Sequence, residues 1–367
     1  MTVDGATMLL GGIGGGALVL SLIATPIVRR LALRCGYVDI PFGHKSHRDP
    51  MPYGGGVAIF LAGWLPAAAL LIAVHLISQR WVTLTFGPDI GAYFGGLYDQ
   101  SRVAMVILAG ALVLFILGII DDLKPLGAIT KLLTMLAVAI GVPALSGVRA
   151  AEALGPALSV TITACWFVVI INSFNFLDNM DGLSAGVAAI CLLMLGVCGR
   201  FADQVLVPAL AVLMFGAVAG FLIFNFPPAK LYMGDAGSLL VGYFVAVIST
   251  MTTYFESGQG QPAYALAMPL IVLAVPLYDC ITVVSIRLRE GRNPMQGDQR
   301  HFSHRLVDHG LSRRFAVVTI YICTAATGLA ATLLPNADLR ITLTVVAIVL
   351  LVLSIIYILE RPAIRPK

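Results

Sequence analysis

The sequence predicts an all-α, polytopic integral membrane protein of about eleven transmembrane helices, N-terminus outside and C-terminus cytoplasmic. Three observations predict it. Of 367 residues, 59% are hydrophobic and only 11% are charged, whereas a soluble domain is about 45–50% apolar and about 25% charged. Apolar runs near the ~20 residues needed to cross a bilayer recur along the whole chain. Positive charge gathers on one side of those runs. A mean hydropathy of +0.94 excludes a soluble globular protein, a disordered chain and a nucleic-acid-binding module, because the surplus apolar surface needs lipid to face.

The runs fall at 6–28, 54–76, 103–120, 129–146, 157–172, 182–198, 205–224, 237–254, 265–286, 315–334 and 341–359. No Lys or Arg precedes the first, and its basic cluster (Arg29, Arg30, Arg34) follows it, so it reads as a span and not a leader peptide. Gly11/Gly15 and Gly12/Gly16 within it read as a close helix-packing stripe. Eighteen of the 23 Lys and Arg lie in loops after odd-numbered spans or in the C-terminal tail. That bias supports eleven spans with the N-terminus outside and the C-terminus inside, and the chain reads as one transmembrane domain, 1–367. The six cysteines show no CxxC or zinc spacing and read as packing residues.

The outer connections, of which 77–102 is the longest, gather no convergent functional groups. The inner connections do. The first carries Val38-Asp39-Ile40-Pro41, Lys45 and His47. Asp121-Asp122 then ends the third span; adjacent carboxylates can hold a divalent cation or accept a proton, and a helix-capping Asp in a solvated loop is the alternative. Lys131, ten residues on, reads as a phosphate contact or a snorkelling lysine. Asn172, Asn175, Asp178 and Asp181 recur every three residues. On an ideal helix that stripe drifts by ~60° per step, so a helix that breaks near Asp178 would bring them together. Asn225 through Ser238 is a Pro/Gly-shaped loop, with Asp235 as N-cap of the following helix and free N–H groups in its first turn. The cytoplasmic basic loop 287–314 holds seven arginines with His301, His304 and His309. It reads as a segment on anionic lipid, a clamp for a phosphorylated group, or both. No Walker sequence occurs.

These residues, from about Val38 to Arg314, resemble the polyprenyl-phosphate N-acetylhexosamine-1-phosphate transferases, the MraY/WecA/TagO group. The resemblance is carried by Val38-Asp39-Ile40-Pro41 with Lys45, Asp121-Asp122 with Lys131, the NxxNxxDxxDGL pattern from Asn172, the NxxPAxxxMGDxGS pattern from Asn225, Pro276-Leu-Tyr-Asp279 and the basic His loop. It implies transfer of a sugar 1-phosphate from a UDP-N-acetylhexosamine to a membrane polyprenyl phosphate, with release of UMP. It implies Mg2+, or Mn2+ in its place, and an active site on the cytoplasmic face of the inner (plasma) membrane.

Carried over residue by residue, Asp235 would be the principal metal ligand and Asn175 a second. Asp121 and Asp122 would lie near the acceptor phosphate. Asp178 and Asp181 would shape the diphosphate end, and the four aspartates form the catalytic set. Lys45, Lys131, Asn172, Asn225, Arg300, His301, His304 and Arg305 would bind substrate. A homodimer stays open. Two positions depart from the family pattern: Asn179 stands where Gly is commoner, and Ser303 interrupts the histidines. The missing contiguous His triplet favours the WecA/TagO side, hence GlcNAc-1-phosphate, over an MraY-type muramoyl-pentapeptide donor. A secondary transporter is the reading from another class.

Overall fold

The computed structural model describes residues 5–39, 50–252, 267–293 and 300–360. Lys45, with His44 and His47, lies outside the described residues, as does 294–299 of the basic loop. In chain order the helices are α1 (Gly5–Cys35), α2 (Gly55–Leu76), α3 (Gln79–Phe86), α4 (Pro88–Asp99), α5 (Ser101–Leu123), α6 (Ala128–Ser146), α7 (Pro156–Leu177), α8 (Leu183–Phe201), α9 (Leu206–Asn225), α10 (Gly234–Met251), α11 (Met268–Val272), α12 (Ala274–Arg289), α13 (Phe302–Asp308), α14 (Arg313–Ala331) and α15 (Leu339–Leu359). Ten of the described helices are long and apolar enough to cross a membrane, so the chain is a multi-pass membrane protein.

The expected ninth span is not one helix but two, α11 and α12, broken at Leu273. Pro276 lacks the N–H that would reach back to the Val272 carbonyl. The Cys191 thiol takes up that carbonyl instead, 3.7 Å away. Two further elements lie between the spans. Segment 77–102 folds into α3 and α4, with the Ser78 hydroxyl accepting the Trp81 N–H at 3.2 Å to start α3. A two-residue antiparallel ladder, β1 (Val38–Asp39) on β2 (Met51–Pro52), joins the helices.

Helix α10 is the centre of the molecule. Its apolar window is 89% buried, against 17% for α1 and for α15, and it packs on α2, α5, α7, α8 and α9. The glycine stripe of α1 does not make the expected close crossing. A Cβ on Gly11, Gly12, Gly15 or Gly16 would meet nothing within 4 Å, while one on Gly14 would lie 3.0 Å from the Val212 carbonyl of α9. Close approach therefore falls on a different face of α1 from the one the spacing suggested.

Candidate active site

The site is built around the first turn of α10. An α-helix begins with N–H groups that have no partner within it. Here they are met from other elements. The Asp122 carboxylate, near the end of α5, accepts the Asp235 N–H at 2.7 Å and the Ala236 N–H at 3.2 Å, and the Gly234 N–H lies close enough to Asp178 to favour its ionised carboxylate. Asp235 is therefore not the N-cap that the sequence suggested. It is the second residue of the helix, and Asp122 caps it in trans. The N–H groups of Asp235 and Ala236 are consequently not free for a phosphate. Gly234 permits this geometry: its φ is +72°, and a Cβ there would lie 2.6 Å from Asp122 Oδ2.

With its backbone held, Asp235 turns its side chain to polar partners. Oδ2 accepts from Lys131 Nζ at 2.6 Å, and Oδ1 accepts from Asn175 Nδ2 at 3.0 Å. The Lys131 ammonium, from the first turns of α6, also lies 2.6 Å from Asp121 Oδ2. One cation thus bridges two carboxylates that sit 114 positions apart in the chain. Asp121 Oδ1 is occupied by the Leu126 N–H at 2.7 Å. Asn175 also donates to Ser238 Oγ at 2.9 Å. Among the described residues no three His, Cys, Asp or Glu side chains form a ready-made metal cage.

Helix α7 ends at Leu177 with Asp178 as its C-cap, so the helix does break where the polar stripe needed it to. Asn175, Asp178 and Asp181 then turn toward the start of α10 and the loop before it. Asp178 is surrounded by protein, although part of its surface reaches solvent. Burial, then the negative charges of Asp235, Asp122 and Asp181, push its carboxyl well above the usual carboxylate range. Asp181 Oδ2 accepts the Ala229 N–H at 2.9 Å.

Two predicted substrate residues do not join the cluster. Asn172 donates to the Val168 carbonyl of its own helix at 2.7 Å. Asn225 is 2% exposed, and its amide is spent on the Gly182 N–H at 3.0 Å and the Leu231 carbonyl at 2.9 Å. It braces two loops and has no free end for a nucleotide.

The basic loop is also braced. Arg300 pairs with Glu290 at 2.9 Å and Arg305 with Glu360 at 2.8 Å. His301 Nδ1 lies 2.8 Å from Asp279 Oδ2. His304 has no hydrogen-bond partner among the described residues. Burial, helped by the Arg313 guanidinium nearby, holds its imidazole below the ordinary 6.5. The folded protein therefore binds this proton less tightly than the unfolded chain. Stability is fully present above pH ~6.5 and falls as pH drops from there toward the folded-state value. The difference between wild type and His304→Gln isolates this effect from the carboxylates: between pH 7.5 and 5 the variant's melting temperature should rise relative to that of the wild type.

Sequence reasoning missed Tyr37, Asp279 and Glu360 as parts of this arrangement. Tyr37 donates to Asp122 Oδ2 at 2.8 Å, and Glu360 accepts the Tyr278 hydroxyl at 2.7 Å. Asp279 stood inside a quoted motif and Tyr37 next to one; nothing in the sequence marked Glu360. The two departures from the family pattern meet each other: the Ser303 hydroxyl donates to Asn179 Oδ1 at 2.7 Å.

Comparison with known proteins places the chain in a family. Residues 104–253, which include most of α5 and all of α6 through α10, match the model of Glycosyl transferase family 4. The chain is 31% identical over 93% of its length to the "Probable undecaprenyl-phosphate N-acetylglucosaminyl 1-phosphate transferase" of Bacillus subtilis, covering 89% of that protein. It belongs to the polyprenyl-phosphate N-acetylhexosamine-1-phosphate transferase family. Among other members of this transferase family, it is 32% identical to the decaprenyl-phosphate N-acetylglucosaminephosphotransferase of Mycolicibacterium smegmatis, over 95% of this chain and 88% of that one. It is 27% identical to the undecaprenyl-phosphate alpha-N-acetylglucosaminyl 1-phosphate transferase of Escherichia coli K12, over 81% and 76%. The matched family region contains Asp121, Asp122, Lys131, Asn175, Asp178, Asp181 and Asp235, the residues that the fold assembles around α10.

Proposed function

We propose that this chain transfers N-acetylglucosamine 1-phosphate from UDP-GlcNAc to a polyprenyl phosphate, releasing UMP, at the cytoplasmic face of the inner membrane. The observation that carries it is the cluster of Asp121, Lys131, Asn175 and Asp235 at the start of α10. It sets a lysine ammonium between acidic groups at a membrane helix end, where a lipid phosphate and a nucleotide diphosphate can meet. The names of the relatives above support the substrate pair. The charge bias of the loops supports the cytoplasmic placement.

In this reaction an oxygen of the lipid phosphate attacks the β-phosphorus of the nucleotide sugar. A new phosphoanhydride forms, the bond from the β-phosphorus to the bridging oxygen breaks, and UMP carries that oxygen away. One phosphoanhydride replaces another, so positioning and charge stabilisation supply most of the catalysis. Lys131 neutralises phosphate oxygens from one side, and Asp121 holds the ammonium in place. Asp122 and Asp178 fix the start of α10 and hence the aim of Asp235. A lipid phosphate is largely ionised at pH 7, so no step requires Asp121 to take a proton. His304 lies ready to take a phosphate oxygen.

The donor chemistry fits Mg2+. This ion prefers hard oxygens and binds through one or two carboxylates plus substrate phosphates, not through a full protein cage. Asp235, already drawing a cation, would hold it, with the Asn175 carbonyl oxygen as second donor. When bound, it would offset the charge crowded on the diphosphate.

The deciding experiment is UMP release by purified protein with undecaprenyl phosphate and Mg2+. UDP-GlcNAc, UDP-GalNAc and UDP-MurNAc-pentapeptide are offered separately, with EDTA and lipid-free controls. Lipid-dependent UMP from UDP-GlcNAc, abolished by EDTA, is the expected result. UMP from the pentapeptide donor alone would turn the reading to the MraY type, and no UMP from any donor would overturn it in favour of transport.

A further inference from the structure

Asp279 is fully buried on α12, at 0% exposure, and the transfer chemistry above does not use it. Both of its oxygens are engaged by one turn of the basic loop. Oδ1 accepts the Phe302 backbone N–H at 3.0 Å, and Oδ2 faces His301 Nδ1 at 2.8 Å. His301 is itself 3% exposed, and the Phe176 ring from α7 meets it edge to face, 6.0 Å between centroids. The Ser303–Asn179 hydrogen bond anchors the same turn from the other side.

We propose that Asp279 is the positioning residue that sets the tautomer of His301. An ionised carboxylate only accepts hydrogen bonds. With Phe302 on one oxygen, the other requires a proton on Nδ1, which leaves Nε2 as the polar atom that His301 can offer a ligand. In that tautomer Nε2 carries a lone pair and accepts a hydrogen bond from a donor group of the ligand. The functional part of this proposal rests on the transferase reading.

Asn at 279 tests the proposal, because the amide has one acceptor and one donor end. The Phe302 N–H is a backbone group and can only donate, so it holds the amide oxygen. The amide NH2 then faces His301 Nδ1, which must become an acceptor, and the ring proton moves to Nε2. Asp279→Asn should thus reverse the tautomer while conserving shape. In 15N-histidine-labelled protein, long-range nitrogen–proton spectra should show His301, identified by its loss in His301→Gln, as Nδ1–H in the wild type and Nε2–H in Asp279→Asn. Wrong-tautomer substitutions of this kind cost orders of magnitude elsewhere, and here kcat/KM for UDP-GlcNAc should fall on the order of a hundredfold. The melting temperature should stay near that of the wild type. In the His301→Gln background, Asp279→Asn should cost nothing further.

An unchanged His301 tautomer in Asp279→Asn would overturn the proposal, as would a full additional loss in the His301→Gln background. If the wild type released no UMP with lipid and donor, the transferase reading would fail on its own, and the nitrogen spectra would still decide the tautomer.

Discussion

Asp235→Ala should abolish lipid-dependent UMP release, a loss on the order of a thousandfold, in a protein that still folds. The two halves of this expectation come from different atoms of one residue. Its backbone N–H is what Asp122 accepts at 2.7 Å, and alanine keeps that group, so the start of α10 stays capped. Its side chain is what Lys131 and Asn175 converge upon, and alanine removes it. The Lys131 ammonium then keeps only Asp121, and the oxygen donor proposed for Mg2+ disappears. UMP release and thermal melting on the same sample separate the effects. Wild-type turnover by this variant at limiting Mg2+ would remove Asp235 from the metal assignment.

The second large effect is structural and comes from a residue with no side chain. A Cβ on Gly118 of α5 would lie 2.3 Å from the Ala236 Cα and 2.4 Å from the Ala236 nitrogen. These are backbone atoms of the first turn of α10, which cannot rotate away as a flexible side chain can. Gly118 and Asp122 are four residues apart and share one face of α5. The glycine lets α10 approach, and one turn later the carboxylate caps it. Gly118→Val should therefore cost about 1–3 kcal/mol or more from overpacking. It should also pull the Asp235 and Ala236 N–H groups off Asp122 and lower activity beyond the loss of folded protein. The check is melting temperature together with specific activity per folded molecule. A variant that melts and turns over like the wild type would show that this crossing can relax without disturbing the site.

Much of the site is legible in the sequence because its residues are out of place where they stand. Asp121, Asp122, Asn175, Asp178, Asp181 and Asp235 sit at the ends of apolar helices, where an ionised or amide group is costly unless it has a partner. Their roles are less legible. Nothing local says that Asp235 is capped by Asp122 instead of capping its own helix, because the choice depends on how closely α5 crosses α10. Asn225 and Asp235 belong to the same loop pattern, yet one is consumed as a brace and the other is turned into the cluster. The same division separates His301 from His304, three positions apart. One faces a buried carboxylate from α12, and the other has no such partner.

Local physics also accounts for what the sequence misjudged. A window of apolar residues over 265–286 satisfies the length and hydropathy of a span, but Pro276 removes a single backbone bond and splits it into α11 and α12. The alternate glycines of α1 satisfy a packing motif, but which face of α1 meets α9 is decided by the neighbouring helix.

By itself, then, the sequence determined the solvent this chain folds in, the approximate position of nearly every span, and the set of polar residues that chemistry could use. Those follow from composition and from periodicities of one or two helical turns, which act over a few residues at a time. Only the tertiary structure decided which of those polar groups meet. Lys131 reaches Asp121 and Asp235 together, Asp122 meets the α10 N-terminus, and Asp279 meets His301, across separations of 10 to 114 residues. Such pairings depend on helix crossings set by glycines and small residues, and that information belongs to two surfaces at once.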